Sequence, residues 1–139
     1  MAGRPTIIIH SLADARIGLA AAHEARRPVR LLSGPGAAAA LGPPVFHAIT
    51  QDARAEWPGV DAEFVLDCGG DPGLALAALR HGIQHVRVTV ADDTRASLAD
   101  IAQALGARLV TAAGPALDLA DVSDPAEHCR LWLATAEPG

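Results

Sequence analysis

Apolar positions in this chain fall into two patterns. Solid runs read as strands buried on both faces, because consecutive bulky apolar residues leave no polar side for water. Thr6 to Ile9 and Phe64 to Leu66 are of this kind. Spaced runs read as helices. Ser11 is a good N-cap that forms a variant capping box with Asp14, and the helix it opens runs from Leu12 to about Arg27, with Leu12, Ala15, Leu19 and Ala22 on one face and Pro28 closing it. Val29 to Ser33 is a second strand with an arginine in its middle. Alanines 37 to 40 form a helical turn broken at Gly42-Pro43-Pro44, and Val45, Phe46, Ile49, Ala53 and Trp57 recur at helical spacing, so a helix spans about Val45 to Glu56.

Beyond the Phe64 run, Asp71-Pro72 starts a helix, with the carboxylate as cap and proline in the first turn, and Gly82 terminates it after Arg80. In His85 to Val90, three valines alternate with His85, Arg87 and Thr89. One face of that strand is therefore polar, as near a sheet edge or in a subunit contact. Asp93 or Thr94 is expected to cap a helix carrying Leu98, Ile101, Ala102 and Leu105 on one face, followed by a short strand, Arg108 to Thr111. A loop from Ala112 to Ser123 is expected to hold a turn of helix near Leu117. Asp124-Pro125-Ala126-Glu127 then opens the last helix, to about Ala134.

Five strands alternating with five helices predict one α/β domain over residues 1–139: a three-layer sandwich on a five-stranded parallel sheet, in the flavodoxin-like order 2-1-3-4-5. The apolar first and third strands would be central. A half-barrel βα arrangement that closes by oligomerising is the alternative.

Composition narrows the classes. With 50% hydrophobic and 19% charged residues the chain is not disordered, and no apolar run approaches the roughly 18 residues of a membrane span, so a soluble protein without membrane contact is expected. Ile7 to Ile9 is too short for a secretory signal, and Cys68 and Cys129 form no CxxC pair; both point to a cytoplasmic protein with free thiols. The net charge is −5 and the eleven basic residues are scattered, which argues against a nucleic-acid partner. All eleven are arginine. Without lysine the chain lacks the amine that Schiff-base aldol chemistry and pyridoxal phosphate attachment need and the lysine of a P-loop, and no cofactor is implied. Among the six histidines only His81 and His85 are closely spaced, with Gly82 between them, so no metal site is read.

Candidate chemistry gathers at strand ends. Asp67 and Cys68 close the third strand, and Gly69 and Gly70 lie between it and the next helix, where glycines either admit a ligand or simply make a tight turn. Ser33-Gly34-Pro35-Gly36 is a second two-glycine loop and a candidate anion cradle. Asp92 stands after the fourth strand, and Ser11 follows His10 after the first. In the order 2-1-3-4-5 the first and third strands are neighbours, so His10 and Asp67 would meet, the acid orienting the imidazole. Cys68, ahead of a helix N-terminus that lowers a thiol's pKa, could serve a small thiol-dependent enzyme with His10 as base; its other reading is a packing residue.

The pattern of His10, Asp67 and Gly69-Gly70-Asp71-Pro72, over about residues 6 to 80, resembles the mannose-family enzyme IIA of the sugar phosphotransferase system. The resemblance implies that His10 accepts a phosphoryl group and Asp67 orients it. Ser11 stands where that family has glycine, and Asp71 where its Gly-Gly-Ser-Pro segment has serine, adding a negative charge near an arriving phosphoryl group. Because acids at the crevice outnumber arginines, the preferred reading is a binding or assembly module with a small-ligand crevice, open to a small anionic ligand. Its partner would be a second copy or another protein, at the mixed fourth strand or the Trp132 helix. A phosphohistidine carrier and a thiol enzyme are the alternatives, and whether the crevice performs catalysis is left open.

Overall fold

The computed structural model describes residues 4–111 and 114–135. Through them run β1 (Thr6–Ile9), α1 (Leu12–Ala25), β2 (Val29–Ser33), α2 (Ala37–Leu41), α3 (Pro43–Glu56), β3 (Ala62–Asp67), α4 (Pro72–Arg80), β4 (His85–Arg87), α5 (Asp92–Ala104), β5 (Arg108–Leu109), β6 (Ala116–Asp118), a 3-10 turn (Leu119–Asp121) and α6 (Pro125–Thr135). Local signals explain most boundaries. Ser11 Oγ accepts the Asp14 N–H at 3.1 Å, and the Asp71 carboxylate accepts from Gly73 and Leu74 with Pro72 in the first turn of α4. The start of α5 differs from the expectation of an Asp93 or Thr94 cap. Its N-cap is Ala91, and Asp92 and Asp93 occupy the first turn, where acids complement the helix dipole without capping it.

The strands form a six-stranded sheet in the order β5-β4-β3-β2-β1-β6, with β1 parallel to β6, β3 to β4 and β4 to β5. This corrects the expected five strands in order 2-1-3-4-5. The strands β1 to β5 follow chain order, as consecutive βα units do in the half-barrel alternative, and β2 stands between β1 and β3. Solid apolar runs report burial on both faces, which any interior strand satisfies; they do not name the neighbour. The sixth strand lies where a helical turn near Leu117 was expected. Three residues are too few for a periodic signal, and β6 is defined by its pairing along β1, Thr6 to Ala116, Ile7 to Leu117 and Ile8 to Asp118.

The chain forms two compact units, and each is described on its own. The first comprises the described residues through Leu32, Ile49–Glu63 and those after Ala113. Its core holds Ile7, Leu19, Leu31, Cys129 and Leu133. A Cβ at Gly18 would stand 2.9 Å from Leu31 Cδ2, so the absence of a side chain there lets α1 lie against β1 and β2. Helix α6 packs on α1. The Trp132 indole donates to Thr6 O at 3.1 Å and Arg27 Nη1 to Leu133 O at 2.9 Å, tying α6 to this unit. The arginine in the middle of β2 also finds its reason here. Arg30 Nε lies 3.0 Å from Glu63 Oε1, Arg4 Nε lies 3.3 Å from Glu63 Oε2, and Glu63 is only 5% exposed.

The second unit comprises Ser33–Ala48 and the described residues from Phe64 on to Thr111. Phe46, Val65, Leu66, Leu79 and Val86 fill its core. Strand β4 lies between β3 and the outer strand β5, so its polar side chains are used internally. Arg87, in register with Asp67, has its Nε 3.9 Å from Asp67 Oδ2, and His85 Nε2 lies 3.5 Å from Arg108 Nη2. No described helix is long and apolar enough to cross a membrane.

Candidate functional site

Parallel strands leave their carboxyl ends, and the loops beyond them, as the usual place for ligands. In the first unit the ends of β1 and β6 lie side by side, and the residue closing or following each strand is polar. His10 Nε2 and Asp118 Oδ1 are 2.7 Å apart. An ionised carboxylate only accepts, so the imidazole donates from Nε2, and in its neutral form the lone pair is on Nδ1. That atom has no partner among the described residues, and the His10 side chain is 39% exposed. Two further contacts hold the pair. Asp118 Oδ1 also accepts the Ala120 N–H at 2.9 Å, and Asp14 Oδ2 accepts the backbone N–H of His10 at 2.9 Å. Asp14 is the acid of the capping box, so the start of α1 fixes the backbone that carries His10.

The electrostatics follow from these contacts. Partial burial alone would raise the Asp118 pKa, but the hydrogen bonds from His10 and the Ala120 amide, with the nearby imidazole charge, hold it below the ordinary carboxylate range. Asp14 and Asp118 make the surroundings of His10 negative.

Most other sequence-derived candidates meet in the second unit. Asp67 Oδ1 accepts the N–H of Gly69 at 2.8 Å and of Gly36 at 3.1 Å, while the Asp67 N–H donates to Ser33 Oγ at 2.8 Å. The Ser33-Gly34-Pro35-Gly36 loop thus meets the Asp67 carboxylate through one backbone donor, the Gly36 N–H. Gly36 and Gly69 adopt left-handed φ of 66° and 60°, the backbone conformation that turns both N–H groups onto one carboxylate and that favours glycine. Gly69 O accepts the Thr89 N–H at 2.8 Å, and Gly70 packs near Thr89 O. Asp92 stands exposed in the first turn of α5. His10 and Asp67 thus each have their own partners, on strands that are not neighbours in the sheet.

Cys68 is 2% exposed, and its thiol is pushed up to about 12 by burial, with the charges of Asp67 and Asp71 adding to it. This reverses the lowering expected from the helix N-terminus. Cys129, fully buried, is pushed up to about 11 by burial and Asp14. A thiol with a raised folded pKa contributes stability that is fully present below its unfolded pKa, near 8.5, and lost as pH rises through the folded value. Both cysteines are therefore expected to resist iodoacetamide at pH 7.5 in the native protein and to react stoichiometrically in urea. Stability should decline as pH rises from about 9 towards 11 to 12. Rapid native alkylation of Cys68, followed by mass spectrometry, would contradict this.

Asp118 has no counterpart among the sequence-derived candidates. The one available signal is a repeated pair: Leu117-Asp118 ends β6 as Leu66-Asp67 ends β3. Among the described residues no three histidine, cysteine or acidic side chains converge on a possible metal position. Comparison with protein-family models finds no match to this chain, and comparison with curated proteins finds none either.

Proposed function

We propose that this protein is an α/β binding module that takes a small molecule at the carboxyl ends of β1 and β6, where His10 exchanges a proton with it and Asp118 is the positioning residue. The observation that carries the reading is the 2.7 Å bond from His10 Nε2 to Asp118, which leaves Nδ1 without a partner among the described residues on a side chain that is 39% exposed. A carboxylate in that position fixes the tautomer and stabilises the imidazolium formed when Nδ1 takes a proton. Asp14 and Asp118 favour a neutral or cationic ligand over an anionic one. Screening small neutral and cationic compounds by two-dimensional amide NMR tests this. Binding compounds should shift residues 10 to 14 and 118 to 121, and His10→Ala should abolish their binding. Binders that perturb only other parts of the chain would contradict the reading.

The open Nδ1 also supports a second reading, phosphoryl acceptance at His10, with Asp118 in the orienting role that the phosphotransferase resemblance gives to Asp67. Nδ1 would attack the phosphorus of a donor as the donor's leaving group departs. Incubation with phosphoramidate should then yield an acid-labile phosphate that is missing from His10→Ala; an unmodified wild-type protein would end this reading.

A further inference from the structure

A groove of about 580 Å³ in the first unit lies between α1, the carboxyl end of α3 and α6. Its floor is apolar, with Ile17, Ala20 and Ala21 from α1 and the half-buried Trp57 just after α3. Six charged side chains line it, four of them acids. Two of the acids take both arginines. Arg16 Nε meets the Glu56 carboxylate oxygens at 3.0 and 2.9 Å, and Arg130 pairs with Glu127 through Nε and Nη2. Glu24 and Asp124 remain. Glu24 adds to the field at Arg130 without bonding to it, and Asp124 Oδ1 accepts the Glu127 backbone N–H at 3.3 Å, a contact that brings no counter-ion. Among the described residues no arginine forms an ion pair with either carboxylate, and both side chains are exposed, so a bound molecule meets them without displacing a protein partner.

We propose that this groove binds a small organic cation, an ammonium head in the field of Glu24 and Asp124 with its apolar body on Ile17, Ala20 and Trp57. Four acids against two arginines select a cation over an anion, and indole is the aromatic ring that best receives one. The volume lies in the range of small-molecule pockets, which combine apolar walls with a few polar groups that fix orientation. The groove shares no residue with the His10 and Asp118 pair and does not depend on the reading given for it.

The test titrates the full chain with benzylammonium, methylammonium and benzyl alcohol at constant ionic strength, following backbone amides and the Trp57 indole N–H by two-dimensional NMR. Benzylammonium is expected to give saturable shifts at Ile17, Ala20, Ala21 and the Trp57 indole. Methylammonium lacks the ring and benzyl alcohol lacks the charge, so both should bind more weakly. Glu24→Gln keeps the shape of an exposed side chain and removes one charge. It should weaken benzylammonium about fivefold, the factor for one close charge pair in water. Trp57→Leu, which keeps an apolar wall without the ring, should weaken it about two- to fivefold. No saturable shift by about 20 mM, well above the millimolar range of weak specific binding, overturns the proposal. So does equal binding of either control compound, or unchanged affinity in Glu24→Gln. Shifts confined to residues 10 to 14 and 118 to 121 would place the cation at the His10 pair and overturn this site while leaving that one standing.

Discussion

Glu63→Ala is expected to lower stability by about 3–5 kcal/mol, and the apparent Tm by roughly 10 °C or more, in urea and thermal unfolding. Glu63 is 5% exposed on β3, with Arg30 Nε at 3.0 Å and Arg4 Nε at 3.3 Å. Arg4 also reaches Asp61 at 2.9 Å, so it keeps one partner when Glu63 is lost. Arg30, with a side chain 21% exposed in the middle of β2, loses its ion pair. A buried pair adds little over an apolar replacement of both partners, yet removing one partner is costly, because the other charge stays desolvated. The double change Glu63→Met with Arg30→Met should therefore recover much of the loss. A Glu63→Ala loss under about 1 kcal/mol would show that water reaches Arg30 freely, as at an exposed ion pair.

Asp67→Ala should cost about 3 kcal/mol or more, whereas Asp67→Asn should cost less, about 1–2 kcal/mol. The alanine variant strips the acceptor from two amides, those of Gly36 and Gly69, and the counter-charge from Arg87. Each hydrogen bond to an ionised group contributes about 1.5–3 kcal/mol. Asparagine keeps an acceptor oxygen at the same place but gives up the charge assistance on both amide bonds and the pairing with Arg87 at 3.9 Å, a long contact for an ion pair. The contrast separates two roles. A carboxylate that holds the loops is replaceable by an amide in unfolding experiments. One needed for its charge in chemistry would leave Asp67→Asn stable and inactive. Equal losses in both variants would mean that the charge, not the acceptor geometry, holds the loops.

How much of this was legible in the sequence depended on the range of the interaction. Ser11 with Asp14, and Asp71 with Pro72, act within one turn, and the helices they start are where the sequence places them. Arg30 stood out as a charge inside a strand, but its explanation is Glu63, thirty-three residues away, and requires the strand register. The glycines at 34 and 36 read as a candidate anion loop, and those at 69 and 70 as either a ligand approach or a tight turn. Two of them, Gly36 and Gly69, donate to the chain's own Asp67, a fact that depends on two loops meeting rather than on either one. Strand β6 was illegible for a different reason. Its three residues show no period, and Asp118 became a candidate only when the pairing with β1 brought it to His10.

The pairing of His10 with Asp118 is the central claim, and the most direct measurement is the titration of the Asp118 side-chain carboxyl by carbon-detected NMR in wild type and His10→Ala. In the wild type this carboxyl should titrate below the ordinary aspartate value of about 3.9. A carboxylate with a depressed folded pKa contributes stability present above the unfolded value and lost as pH falls through the folded one, so the wild type should lose this contribution below about pH 4. In His10→Ala the midpoint should move up, because the imidazole hydrogen bond and charge are gone while the Ala120 amide remains. An Asp118 midpoint at the ordinary value in wild type, or one unmoved by His10→Ala, would contradict the pairing and with it the site at the ends of β1 and β6.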